Sequence, residues 1–329
     1  REPVLAKYRD ELSVLASCGK PLLPVLNFVS SPQHREPEWR EALARLGLHA
    51  LVRFDSVAPP EDGERRLYES LALLLEHSRG ALQRLITDQE AQREARKHSA
   101  LRLIAELLID CAACRRSVAS EKAAEQQAIQ QLREAIRQRE QRCVEAMLKL
   151  YGFRPGDAAA SDLPLLDGRW GDDLFNPETL KHLGVRVGGG IAAGAAAGAG
   201  VDLMVGGLTL GAAALAGAIA GGALQTARSY GSRLLGKLKG QRELTVDDSV
   251  LRLLALRQRQ LLHALNARGH AAMDSIKVAT PQDKTWREGK LPEALNKARA
   301  HPQWSSLNPH AKLSQAERQE QIELLVEQI

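Results

Sequence analysis

Four groups of residues in this 329-residue chain have types and spacings that could carry chemistry. Cys111-Ala-Ala-Cys114 is a C-x-x-C pair, and such pairs do redox work where a helix N-terminus lowers the thiol pKa. This pair falls deep in a predicted helix, in line with Ile104 and Leu107, which is the pattern of core packing. No second C-x-x-C and no H-x-x-x-H completes a set of zinc ligands. Gly231-Ser-Arg-Leu-Leu-Gly236-Lys237-Leu238 approaches the phosphate-loop pattern G-x-x-x-x-G-K-[ST]. Its last position is Leu, so the hydroxyl that holds Mg²⁺ is missing, and no strand leads into it. Asn27 stands near the end of an apolar run that reads as a buried strand, and Ser56 follows a second such run. In open α/β sheets ligands bind at the edge where strands end, so both are candidate binding residues; the alternative is a pair of polar turn residues.

The fourth group is the stretch 184–224, which holds half of the chain's 26 glycines. Gly190, Gly194 and Gly198 recur every four residues, as do Gly207 with Gly211 and Gly217 with Gly221. On helices this spacing makes a smooth ridge against which another backbone can close. The reading is a glycine-zipper helical hairpin with Asp202 at its turn. Residues 203–224 carry no charge and are long enough to cross a hydrocarbon layer of about 30 Å, whereas 187–201 would reach only about 22 Å. Arg186 precedes the hairpin, and Arg228, Arg233, Lys237 and Lys239 follow it. That placement suits lipid headgroups and a hairpin with both ends in the cytoplasm. The alternative is a hairpin buried inside a soluble protein.

The rest of the sequence must position these groups. Aromatic content is 4% and hydrophobic content 44%, the profile of a mainly helical chain with enough apolar mass for a core. The net charge of +5 is modest and gathers beside the glycine-rich stretch, which argues for a membrane surface and against nucleic acid. Four cysteines without regular spacing point to a reducing compartment. The order helix (2–17), strand (21–29), helix (36–46), strand (48–54) is the rhythm of a parallel α/β sheet. Two strands cannot complete such a sheet, and the chain starts at Arg1, so the expectation is the back half of one. From 64 to 153 there is no proline. Apolar stripes at 67, 71, 74, 75, 82, 85 and 86 and at 101, 104, 107, 108, 111 and 114 predict long helices. After a soft break at 117–120, Ile129, Leu132, Ile136, Cys143, Met147 and Leu150 line another. Thr245 is placed to cap a helix over 246–267. The segment 277–312 reads as weakly ordered, with a short helix at 292–300. Trp286 and Trp304 within it read either as packing onto the body or as anchors to a partner or membrane interface. Ser314 and Glu317 form a capping box for a last helix ending near Ile329.

Three segments carry a family resemblance: 1–12, Lys20-Pro-Leu-Leu-Pro-Val-Leu-Asn-Phe-Val, and Val52-Arg-Phe-Asp-Ser-Val-Ala-Pro. Together they resemble the back half of a bacterial Ras-like GTPase domain. The glycine-rich hairpin and tail resemble the C-terminal domain of unknown function 3482, found fused to such GTPases in proteobacteria. The resemblance implies that Asn27 and Ser56 occupy degenerate guanine-reading positions. Phe28 and Ser30 stand where the family has Lys and Asp. The phosphate loop and switch regions would lie upstream, so the resemblance implies no GTP hydrolysis by this chain, and GTP with Mg²⁺ only in a longer protein.

The combined expectation is a mainly α protein in five parts. These are a partial α/β segment (1–62), a helical stalk or bundle (63–153), an acidic linker (154–183), the hairpin with its basic flank (184–240) and a helical tail (241–329). Its expected role is the membrane-associating or effector half of a GTPase-like protein, cytoplasmic and attached to the inner membrane. Expected partners are membrane lipid or a membrane protein, then a soluble protein partner, and no nucleic acid. The competing expectation is a soluble helical scaffold with the hairpin as its core.

Overall fold

The computed structural model describes residues 2–27, 29, 34–54, 62–119, 121–153, 165, 169–176, 179, 201–204, 241–266, 286–287 and 289–329. Ser56, the glycine ridge (Gly190, Gly194, Gly198, Gly207, Gly211, Gly217, Gly221) and the basic flank (Arg186, Arg228, Arg233, Lys237, Lys239) lie outside the described residues. The chain is mainly helical. It divides into two compact units, the first chiefly Arg1–Lys97 and the second chiefly His98–Gly156, Pro164–Leu262 and Lys277–Ile329.

In the first unit, α1 (Ala6–Ser17) precedes β1 (Val25–Leu26), α2 (Glu36–Arg45) and β2 (Val52–Arg53). The two strands pair in parallel, Val25 with Val52 and Leu26 with Arg53, as the helix–strand rhythm predicts. The crossover works because α2 stops cleanly. Gly47, at φ +76°, lets Gly47 N–H reach Ala44 O at 2.9 Å and Leu48 N–H reach Leu43 O at 3.0 Å. That closes the helix in a left-handed cap no side chain would favour. The apolar face expected on α1 is not buried: α1 has no buried residue, and Leu15 is 50% exposed. Its tie to α2 is Tyr8 against Trp39, with ring centroids 5.9 Å apart. α3 (Gly63–Leu74) follows, and a short 3₁₀ turn at Glu76–Ser78 interrupts the expected continuous stripe before α4 (Arg79–Ala113).

The second unit takes the last turns of α4, then β3 (Arg115–Ala119), α5 (Lys122–Leu150), β4 (Val201–Met204), β5 (Gln241–Val246), α6 (Asp248–Asn266), α7 (Glu293–Ala300) and α8 (Ala316–Val326). Leu103 O receives the Cys143 thiol and Asp110 receives Arg139, so α4 and α5 run antiparallel. The α5 stripe is buried as predicted from Ile129 to Met147, with Leu132, Ile136 and Met147 at 0% exposure, while Leu150 at its end is half-buried.

Several local expectations change. Residues 117–119 of the soft break belong to β3, which pairs antiparallel with β5. β5 is the central strand of a three-stranded sheet ordered β3-β5-β4. Asp202 is not at a turn but in β4, opposite Thr245, and 203–204 are strand rather than the start of a helix. Thr245 is a strand residue. The cap of α6 is Asp247, whose Oδ1 accepts the Ser249 N–H at 2.7 Å. α8 starts after Gln315 with no side-chain cap, so Ser314 and Glu317 do not form the expected box. The 289–312 stretch is ordered: α7 packs through Leu295 and Ala298, and Trp304 is fully buried.

Removing most of a side chain at the centre of this core leaves a cavity. Leu132→Ala should lower unfolding free energy by about 2–5 kcal/mol. Leu73→Ala, at a residue 75% exposed, should change it by less than about 1 kcal/mol. Urea denaturation followed by circular dichroism checks both.

Candidate functional site

Asn27 directly follows β1, at the C-terminal end of the parallel pair, where the sheet argument put it. The backbone there is tied to the second strand by Phe54 N–H to Leu26 O at 2.9 Å. A groove of about 240 Å³ in the same unit lies between α1 and α2, lined by Arg9, Glu38, Glu41 and Arg45, and Asn27 is not in its wall.

The densest polar chemistry was not anticipated, and it sits in the second unit. Asp110, 2% exposed, lies one turn before the end of α4. Its Oδ2 accepts Arg139 Nε at 2.6 Å and Ser306 Oγ at 2.8 Å. Its Oδ1 accepts Ser306 N–H at 3.0 Å and Arg318 Nη2 at 3.2 Å. Its backbone oxygen accepts Ser305 Oγ at 2.7 Å. Arg318 also donates to Trp304 O at 2.9 Å, and Trp304 Nε1 donates to Gln315 Oε1 at 2.7 Å. A cavity of about 450 Å³ opens beside Asp110, lined also by Glu106, Arg139, Ser306, Leu313 and Arg318. Burial opposes the charge of Arg139, but the Asp110 carboxylate outweighs it and holds the guanidinium above its usual pKa.

One turn on, Asn308 completes the end of α4. Its Nδ2 donates to Ala113 O at 3.0 Å and Pro302 O at 2.8 Å, while its Oδ1 accepts Arg115 N–H at 3.0 Å. A helix end buried away from water needs such partners for its last carbonyls. The 302–318 stretch therefore supplies by side chain what a solvent-exposed helix end would take from water.

A second buried layer joins α5 to α6. Glu140 is 5% exposed and faces Arg257 (2%) and Gln258 (0%). Gln258 Nε2 donates to Glu140 Oε1 at 3.2 Å, and Arg257 Nη1 lies 3.6 Å from Oε2. Burial raises Glu140 to a pKa of about 7, more than Arg257 and Gln258 pull it down. Near the sheet, Arg242 of β5 pairs with Glu125 of α5 at 2.8 Å.

These arrangements bind structure rather than react. Ser306 donates to a carboxylate already shared by two guanidiniums, with no histidine beside it to act as base. Cys111 and Cys114 do pack in the core as their stripe predicted, with Cys114 immediately past the helix end. Burial drives Cys111 well above the usual thiol range, Cys114 to about 11 and Cys143 to about 12, so none forms a thiolate near neutral pH. No cluster of three or more His, Cys, Asp or Glu able to hold a metal occurs among the described residues. Trp286 and Trp304 pack inward, 3% and 0% exposed. The one signal for the polar centres was that Asp110 and Glu140 fall on stripes that are otherwise apolar.

The thiols give a direct check. Cys18 is exposed and the other three are buried. Titration with a chromogenic disulfide should find one reactive thiol in the folded protein and four in denaturant.

No curated protein and no solved structure matches the chain. A family description, Domain of unknown function (DUF3482), matches residues 40–327. The match runs from α2 through α8 and takes in both polar centres, the three-stranded sheet and the glycine-rich stretch. The chain belongs to the DUF3482 family.

Proposed function

We propose that this chain is the membrane-associating, effector half of a GTPase-like protein. The observation that carries the reading is the parallel β1–β2 pair with Asn27 directly after β1, followed through α3 by a helix of 35 residues with residues in both units. A parallel pair joined by one helix is the unit from which doubly wound sheets are built, and in this reading it belongs to a larger one. The uncovered apolar residues of the same unit, Leu5, Val14, Leu15 and Val25, fit a sheet that continues beyond these two strands. In this reading guanine nucleotide with Mg²⁺ is bound only where the phosphate-cradling loop is present. The Asn27 and Ser56 positions are the degenerate remnant of base recognition. Nucleotide state would act on α3 at its start, and α4 would carry the change onward.

The membrane side of the reading rests on the glycine-rich segments on either side of β4 and on the basic residues Arg228, Arg233, Lys237 and Lys239 that follow them. Gly and Ala are barely apolar, so the basic flank supplies much of the binding through anionic headgroups. No helix among the described residues is long and apolar enough to cross a membrane. In this reading the glycine-rich stretch and its basic flank make the contact with the inner face of the cell membrane.

Flotation with vesicles tests this. The chain should rise with vesicles containing about a third phosphatidylglycerol. Replacing Arg228, Arg233, Lys237 and Lys239 by Gln should cut recovery severalfold, as should neutral lipid. A chain that stays in the soluble fraction with both lipids would overturn the membrane reading and favour a soluble helical scaffold that binds a protein partner.

A further inference from the structure

The segment 169–176 leads, in sequence, into the glycine-rich stretch, and the second unit holds it in an unusual way. Leu174 and Phe175 are 2% and 4% exposed. Arg257 of α6 donates to Asp172 O at 2.6 Å and lies over the Trp170 ring at 5.2 Å. Arg137 of α5 grips Asp173 with two bonds, of 2.9 and 3.0 Å, and with Arg133 it covers the Phe175 ring at 5.1 and 5.2 Å. Arg257 thus has two duties. It fastens the segment, and it is the counter-ion of Glu140 in the dry layer behind it.

That layer is one donor short. Gln258 spends its amide N–H on Glu140, and its own Oε1 is buried with no partner. Arg257 meets Glu140 at 3.6 Å, beyond hydrogen-bond length, while its other amine is given to the segment. The ionised layer therefore carries a carboxylate with weak compensation and an orphan acceptor, both costly away from water. A proton on Glu140 removes the buried negative charge, and Arg257 then keeps its bond to Asp172 O and its place over the Trp170 ring. Opening of the segment does the opposite, since it frees the Arg257 amine held by Asp172 O to meet the ionised Glu140 carboxylate.

We propose that Glu140, Arg257 and Gln258 form a proton-operated latch for residues 169–176, closed on α5 and α6 when Glu140 is protonated and loosened when it is ionised. The sign follows from linkage. The closed form holds the Glu140 proton to about pH 7, while a hydrated Glu releases it near 4.5. The closed form binds more protons between these limits, so closure is favoured as pH falls and that advantage is lost as pH rises through 7. The other charged groups meeting the layer are Arg257 from α6, Arg137 from α5, and Asp172 and Asp173 from the segment. The Cys111 thiol of α4 and the Cys143 thiol of α5 complete the set. Burial works against the Asp173 charge, but its bonds to Arg137 prevail and hold it below the usual carboxylate pKa. The two thiols stay protonated far above neutrality. Glu140 is the group whose charge changes in the neutral range.

Hydrogen exchange of the intact chain, read by mass spectrometry and corrected for the intrinsic pH dependence of exchange, tests the latch. Protection of amides in 169–176 should fall about thirtyfold between pH 5.5 and 8, with the change levelling off above pH 7.5. Amides in the middle of α5 should show no such trend. Glu140→Gln should keep the segment protected with no pH trend. Asp173→Asn should lower protection by a similar factor at every pH and keep the wild-type slope. A flat wild-type profile, or the same slope in Glu140→Gln, overturns the proposal. If Glu140→Gln does not fold by circular dichroism, the wild-type profile against that of Asp173→Asn still decides it.

Discussion

A carboxylate shut away from water must be met by opposite charge and by donors for its lone pairs, or it will not stay ionised. Asp110 meets that demand by drawing three parts of the chain to one point: α5 through Arg139, the 305–306 turn through Ser305 and Ser306, and α8 through Arg318. Only that convergence explains why the polar tail is ordered. Residues 302–318 carry little apolar mass besides Trp304, Leu307 and Leu313. Their place is set by bonds to Asp110, Ala113 O and Arg115 N–H. Once they are in place, Trp304 is buried, and α7 and α8 have a surface to pack on.

The same device recurs. Glu125 holds Arg242 of β5, and Glu140 holds Arg257 of α6. Each acid lies on α4 or α5, and each arginine comes from a segment distant in sequence, Arg139 excepted. Charge pairs of this kind add little net stability over apolar packing, because desolvation consumes most of the attraction. They do punish misassembly, since an arginine or acid left alone in the core costs several kcal/mol. The helix pair α4–α5 thus supplies the apolar mass, and the acids along it select which later segments dock where. The three joints differ in completeness. Asp110 is fully met by donors, whereas Glu140 is not, and burial pushes the Glu140 carboxyl up to about 7.

How far the sequence could be read follows from range. α5 and α6 announced themselves by stripes such as Ile129, Leu132, Ile136 and Leu251, Leu254, Leu261, because a helix writes its buried face within a few turns. β1 and β2 were legible for the same local reason. β3 was not: Arg115-Arg116-Ser117-Val118-Ala119 has no apolar alternation, and its partner β5 lies more than a hundred residues on. Asp202 reads as a turn residue by type, yet its place opposite Thr245 is fixed by that same long-range pairing. Ser305 and Asn308 read as weakly ordered by composition, and Gln315 as part of a helix start, although their polar groups are what order the tail. Asp110 and Glu140 stood in view as breaks in apolar stripes. Arg318, 208 residues from Asp110, could not be assigned to it from spacing.

The claim on which the fold rests is that Asp110 and Arg318 act as one unit across that distance. A double-mutant cycle measures this directly. Asp110→Asn, Arg318→Gln and the double variant are unfolded in urea, and their free energies are compared with the parent chain. The account predicts a coupling of about 2 kcal/mol, with the double variant less destabilised than the sum of the singles. A coupling below about 0.5 kcal/mol would mean that the two residues contribute independently, and would contradict the account.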